Sequence, residues 1–154
     1  HEKDGEKILA LFDPRLEVIR KDPRWKTIDT RIRTAYTRYP KSDLAFALDS
    51  LYCEDQKYRT LVPFIQDLGG YIKVLDTVEI RFPKISGEAW QEKDHTICQK
   101  LLQLLDKHGF PAESDVGVRA AKAAAVILIH SPDTTLLKKY LPVLESRCRE
   151  GESD

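Results

Sequence analysis

Residues 94–148 read DHTICQKLLQLLDKHGFPAESDVGVRAAKAAAVILIHSPDTTLLKKYLPVLESRC, and the punctuation of that stretch decides the fold. Ile97, Leu101, Leu104 and Leu105 recur at helical spacing, and Lys107-His108-Gly109-Phe110-Pro111 ends them. Basic side chains face the carbonyl end of the helix dipole, glycine allows a left-handed exit, and proline cannot continue the helix. Residues 112–117 read as a polar turn. VRAAKAAAVILI (118–129) is apolar nearly all round, the pattern of a helix packed on several sides, and its alanines let neighbours approach closely. Ser131-Pro132-Asp133 is a turn with its own cap. Leu136, Leu137, Tyr140, Leu141, Val143 and Leu144 then carry a last helix past Pro142, which should bend it. The 118–129 helix is the expected centre, flanked by helices over 88–107 and 134–148.

Upstream, Asp13-Pro14 and Asp22-Pro23 both read as helix starts, an acceptor side chain followed by proline. Leu16, Val18 and Ile19 suit a short helix. Trp25, Ile28, Ile32, Ala35, Tyr36 and Tyr39 fall on one stripe that Pro40 closes. Ser42 is placed to cap a further helix with Leu44, Leu48, Leu51 and Tyr52 on its apolar face, running into residues 54–59. Pro63 and Asp67-Leu68-Gly69-Gly70 stop it. YIKVLDTVEIRF (71–82) is rich in β-branched and aromatic residues without a helical period, so it reads as a short strand pair or an irregular loop. Pro83, Ser86 and Gly87 mark a loop. The expectation is an all-α, single-domain bundle of about six helices over residues 1–154, with at most a minor β element near 71–82 and a frayed tail at 151–154.

The 154 residues hold 25 basic and 25 acidic side chains, 42% apolar content and 32% charged content. A zero net charge disfavours nucleic acid, whose binders gather a basic excess on one face. The arginines and lysines between Arg15 and Arg38 are interrupted by Glu17, Asp22 and Asp29, and read as a solvated helix face. The longest apolar run, 123–129, is too short for a membrane span. Cys53, Cys98 and Cys148 match neither a zinc motif nor a dense disulfide framework. A chain beginning at His1 implies a cut or processed N-terminus, which leaves cytoplasm, or export with a signal peptide removed, as the compartments to consider.

Asp55-Gln56-Lys57-Tyr58-Arg59, Asp94, His108-Gly109-Phe110-Pro111, Val116-Gly117, the alanine-rich helix running into His130, and Lys138-Lys139-Tyr140-Leu141-Pro142 together resemble an uncharacterised bacterial family, a domain of unknown function. The resemblance covers about residues 50–148. It implies an α-helical domain and brings no established activity, cofactor or partner. Phe110 stands where the family has tryptophan, which keeps an aromatic at the turn. Ile97, Ile129 and Leu137 stand where asparagine, glutamine and glutamine are expected, so that apolar side chains would fill part of any polar pocket there.

The polar residues divide into a few candidates. Asp55 and Arg59 are one helical turn apart and can pair, with Gln56 beside them to orient a ligand or tie helices. His130 ends an apolar helix, where its cationic form suits the dipole. As a general base it would need Asp55 or Asp94 to fix its tautomer. His108 reads as a C-terminal helix residue, and Cys98 as a small buried hydrophobe. No HxxxH, HExxH, CxxC, GxSxG or phosphate-loop pattern occurs, so no metal or cofactor is expected. Two functions follow. The favoured one is a non-catalytic interaction or structural module with a protein partner, because no catalytic set is complete. The other is a small-ligand or hydrolase-like site in which Asp55, Asp94 and His130 are candidate catalytic groups, and Gln56 and Arg59 candidate binding groups, Arg59 clamping an anion.

Overall fold

The computed structural model describes residues 8, 10–13, 16–59, 71–75, 78–81 and 87–149. A helical segment ends at Phe12, and a 3-10 turn over Ile19–Lys21 leads into α1 (Trp25–Ala35). Asp22 opens α1 as its sequence suggests. Its carboxylate accepts the Arg24 backbone N–H at 2.9 Å and its carbonyl the Trp25 N–H at 2.9 Å, satisfying donors that a helix start leaves unpaired. Of the expected stripe, Ile32 and Tyr36 are buried, whereas Ile28 is exposed. A second 3-10 turn, Tyr36–Arg38, leads to α2 (Ser42–Arg59). Here Ser42 is the first helical residue, one place inside the position from which it would cap.

An antiparallel hairpin follows, β1 (Tyr71–Leu75) and β2 (Val78–Arg81), with Ile72 opposite Ile80 and a bulge between Lys73 and Leu75. The minor β element is therefore a strand pair. Then come α3 (Gly87–His108), α4 (Glu113–Val116), α5 (Val118–His130) and α6 (Thr134–Arg149). The architecture is all-α, a helical bundle, as its periodicities dictate. The expected stops at Pro63 and 67–70, the loop over 83–86 and the tail at 151–154 lie outside the described residues.

The core is built from Leu44, Ala45, Leu48 and Leu51 of α2, Ile97, Cys98, Leu101 and Leu105 of α3, and Ala120, Ala123, Ala124, Ile127 and Leu128 of α5. Each fully buried leucine or isoleucine contributes about 1.5–3 kcal/mol. α5 is central, but its most extensive partner is α2, ahead of α3 and α6. Its alanines explain this, because a side chain of one carbon lets the α2 leucines close against the backbone.

Two local expectations need correction. Residues 112–117 are not a plain polar turn: they contain α4, whose Val116 is buried, and Lys41 holds α4 through its backbone N–H to the Asp115 carbonyl (3.0 Å) and an ion pair at 2.6 Å. Ile129 fills no pocket, being 62% exposed at the outer edge of α5, while Ile97 is buried. Helix α6 runs past Pro142 as expected, and it buries no residue fully.

Among the described residues two glycines take positive φ. Gly109 (φ 73°) terminates α3, with its N–H on the Leu105 carbonyl at 2.8 Å. Gly117 (φ 85°) joins α4 to α5, and a Cβ there would stand 2.6–2.8 Å from the Tyr39 ring. Only glycine permits both the backbone angle and that approach.

Candidate functional site

The last turn of α2 carries Asp55, Gln56 and Arg59. Because α2 packs on both α3 and α5, that turn meets the second turn of α3 and the final residue of α5. All five sequence-derived candidates come together there. Asp55 lies at the centre, its side chain 1% exposed. Nδ1 of His130 stands 3.0 and 2.8 Å from its two oxygens, and the Gln56 side-chain amide donates to Oδ2 at 2.7 Å. Arg59 reaches across to α3, donating from Nη2 to Asp94 Oδ1 at 2.7 Å. Its Nε lies 3.5 Å from Asp55 Oδ2, near enough for charge attraction but not aligned as a hydrogen bond, so that buried N–H has no acceptor.

Trp90, one turn before Asp94 on α3, places its ring 5.3 Å from the Arg59 guanidinium carbon. On its own, a tryptophan at this place in a helix reads as a core or interface aromatic. Its separation of four from Asp94 is the signal that both attend to the same cation.

The tautomer follows from the partners. A carboxylate only accepts, so Nδ1 of His130 carries the proton, and the neutral ring keeps its lone pair on Nε2. Among the described residues Nε2 has no hydrogen-bond partner, and the side chain is 25% exposed. This is the arrangement of a base oriented by a buried carboxylate. Arg59 lies between two carboxylates, so its charge is already balanced. With His130 neutral, the cluster carries one formal negative charge, and the anion-clamping role expected of Arg59 is not the one its contacts favour.

His95 and His108 stand apart. Both are exposed on α3, and His95 contributes only a weak charge effect at Asp133. Among the described residues no group of three or more His, Cys, Asp or Glu side chains is placed to hold a metal ion.

A second buried polar group went unread in the sequence. Asp49 is buried on α2 and accepts the Tyr36 hydroxyl at 2.6 Å, and Arg119 Nε of α5 approaches its other oxygen at 3.4 Å without forming a hydrogen bond. Arg119 Nη2 also donates to Cys53 Sγ at 3.4 Å, and its guanidinium carbon is 5.5 Å from the Tyr52 ring centre. Burial pushes the Asp49 carboxyl up despite the Tyr36 and Arg119 partners, pushes the Tyr36 phenol well above its usual range, and pushes the Cys53 thiol up to about 12. The available signal was Asp49 standing inside the apolar row of Ala45, Leu48 and Tyr52, with Arg119 the one arginine of the alanine-rich helix it meets.

No family model matches the chain, and no curated protein or solved structure does either.

Proposed function

We propose that the Asp55–His130 cluster is a small-ligand site, in which Nε2 of His130 accepts a hydrogen bond or a proton from a neutral or cationic ligand bearing a hydroxyl, amide or amine. One observation carries the reading: Asp55 holds Nδ1 from both oxygens, while Nε2, on a side chain that is a quarter exposed, has no hydrogen-bond partner among the described residues. A histidine serving only to neutralise Asp55 needs no second nitrogen. Asp55 supplies the orientation, Gln56 and Arg59 fix Asp55, and Asp94 with Trp90 fixes Arg59. The small-ligand alternative then takes the form of a histidine acceptor site rather than an arginine anion clamp.

Thermal-shift screening of small alcohols, sugars, amides and amines against the wild type and His130→Gln tests it. Glutamine keeps an N–H donor for Asp55 but removes the imidazole lone pair. The expected result is a stabilising compound whose effect disappears in the variant. Compounds that shift both proteins equally, or none that shifts either, would sink the ligand reading.

The mutual pairing of Asp55, Arg59 and Asp94 across α2 and α3 favours a second reading, a polar tie between helices in a non-catalytic interaction module. In that case His130→Gln should keep the wild-type melting temperature, Asp94→Asn should lower it, and no ligand should be found.

A further inference from the structure

Away from this cluster, a cleft of about 630 Å³ opens between the 3-10 turn Ile19–Lys21, α1 and α2. That volume is in the range of about 300–1,000 Å³ typical of small-molecule sites. Its walls differ in chemistry. Leu11, Phe12, Trp25 and Phe46 are only half-buried and give it an apolar, largely aromatic side. Arg20, Lys21, Lys26 and Arg33 give it a cationic side.

Two carboxylates also line the cleft, and both are engaged. Asp22 holds the Arg24 guanidinium through both oxygens at 2.9 and 2.8 Å, and Asp29 pairs with Arg33 at 3.0 Å. Arg33 in turn lies over the Phe46 ring at 4.3 Å. Lys21 and Lys26 have no ion-pair partner among the described residues. Arg20 gives one guanidinium N–H to the Asp13 carbonyl, while its buried Nε–H has no acceptor. The neighbouring smaller cleft beyond Arg33 and Phe46 is lined by threonine and serine hydroxyls and Asp43, and adds no further cation.

We infer that the larger cleft binds a free amphipathic anion, an aromatic or short aliphatic body against Phe12 and Trp25 with its carboxylate, sulfonate or phosphate among Arg20, Lys21 and Lys26. The basic run that reads in sequence as a solvated face thus becomes, once folded beside three aromatic rings, a charged rim over an apolar wall. Hydrogen bonds to charged groups are the strong ones, and the apolar body adds area removed from water.

The experiment is isothermal titration calorimetry with 2-naphthoate, its neutral analogue 2-naphthamide, and inorganic phosphate, on the wild type and the double variant Lys21→Gln/Lys26→Gln. Both lysines are exposed, so the variant should keep its fold, which its melting temperature checks. Saturable naphthoate binding that weakens about tenfold in the variant, and about tenfold on replacing acid by amide, is the expected result, the loss of a charge-assisted hydrogen bond. Equal binding of acid and amide, an unchanged affinity in the double variant, or phosphate binding as tightly as naphthoate would overturn it. Co-sedimentation with phosphatidylserine vesicles separates the two sources of such an anion. No sedimentation supports a free ligand, and lysine-dependent sedimentation assigns the cleft to a membrane headgroup instead.

Discussion

Asp55 and His130, 75 residues apart in the chain, meet with Nδ1 of the imidazole 2.8 Å from one carboxylate oxygen and 3.0 Å from the other. The contact closes the C-terminal ends of α2 and α5 against each other, and it buries a carboxylate whose needs are met by three side chains. Removing that carboxylate weakens the acceptor for His130 Nδ1 and the Gln56 amide, and leaves Arg59 with Asp94 as its one carboxylate among the described residues. Asp55→Asn should therefore destabilise the fold by about 1–3 kcal/mol, and Asp55→Ala by more, because it also opens a cavity. Urea denaturation at neutral pH measures both. An Asn variant as stable as the wild type would mean that the contact carries no net stability.

Gly117 and Gly109 form a natural pair of controls. Both have positive φ, but only Gly117 faces a neighbour, the Tyr39 ring. Gly109→Ala should cost about 1–2 kcal/mol, the left-handed penalty of a side chain. Gly117→Ala should cost about 1–3 kcal/mol beyond that, since its φ 85°, ψ 155° backbone is open essentially to glycine alone and the ring must also be pushed aside. Tyr39 is held by Arg38, whose Nη2 donates to its hydroxyl at 2.7 Å, and by its packing on Tyr36. Equal losses at the two glycines, read by urea denaturation, would show that neither the backbone angle at Gly117 nor the ring adds a cost.

Asp49 sets a pH dependence of definite sign. Its folded-state carboxyl is raised above the ordinary value of 3.8, chiefly by burial. The folded state then holds the proton over a range in which the unfolded state has lost it, so Asp49 contributes most below about pH 4, and its contribution falls as pH rises through the raised value. Asp49→Asn keeps an acceptor for the Tyr36 hydroxyl and removes the titration. Relative to the wild type it should gain stability as pH increases across that window, read by urea denaturation at a series of pH values. A relative loss would reverse the assignment.

The three thiols should separate by reactivity. Cys53 and Cys98 are buried and Cys148 is exposed, and burial drives the Cys53 thiol up to about 12. Since the thiolate is the reacting species, a chromogenic disulfide reagent at pH 8 should titrate one thiol rapidly in the native protein and three after unfolding. Fast modification of a Cys148→Ser variant would contradict the buried environment of Cys53 and Cys98.

Much of this arrangement was legible in the residue order. The 3.6-residue period gave α1, α2, α3, α5 and α6, and a helix stop written as His108-Gly109-Phe110-Pro111 has few other readings. The candidate cluster was legible because its members mark helix ends: Asp55 and Arg59 share one face of a last turn, and His130 interrupts an apolar run at its final position. Their meeting across three helices was not legible, since it depends on how α2 crosses α3 and α5. Asp49 was missed because one carboxylate inside an apolar row looks the same on paper whether it reaches water or is met by an arginine seventy residues later. Ile129 misled in the opposite direction, an apolar side chain on an apolar helix that nonetheless faces solvent. The turn over 112–117 hid a helix of four residues, too short to show a period.

Helix α6 buries none of its sixteen residues fully and carries Pro142 where a backbone donor would otherwise join the helix ladder. Leu136, Leu137 and Tyr140 rest on the core only as half-buried side chains. Hydrogen exchange should therefore divide the molecule into layers. The amides of α5, held among buried alanines and leucines, should exchange only when the whole fold opens, whereas those of α6 should exchange through a smaller, cheaper opening in which the helix lifts from a bundle that stays intact. Such an opening would begin just beyond His130, so the last helix can come and go while the imidazole stays fixed on Asp55.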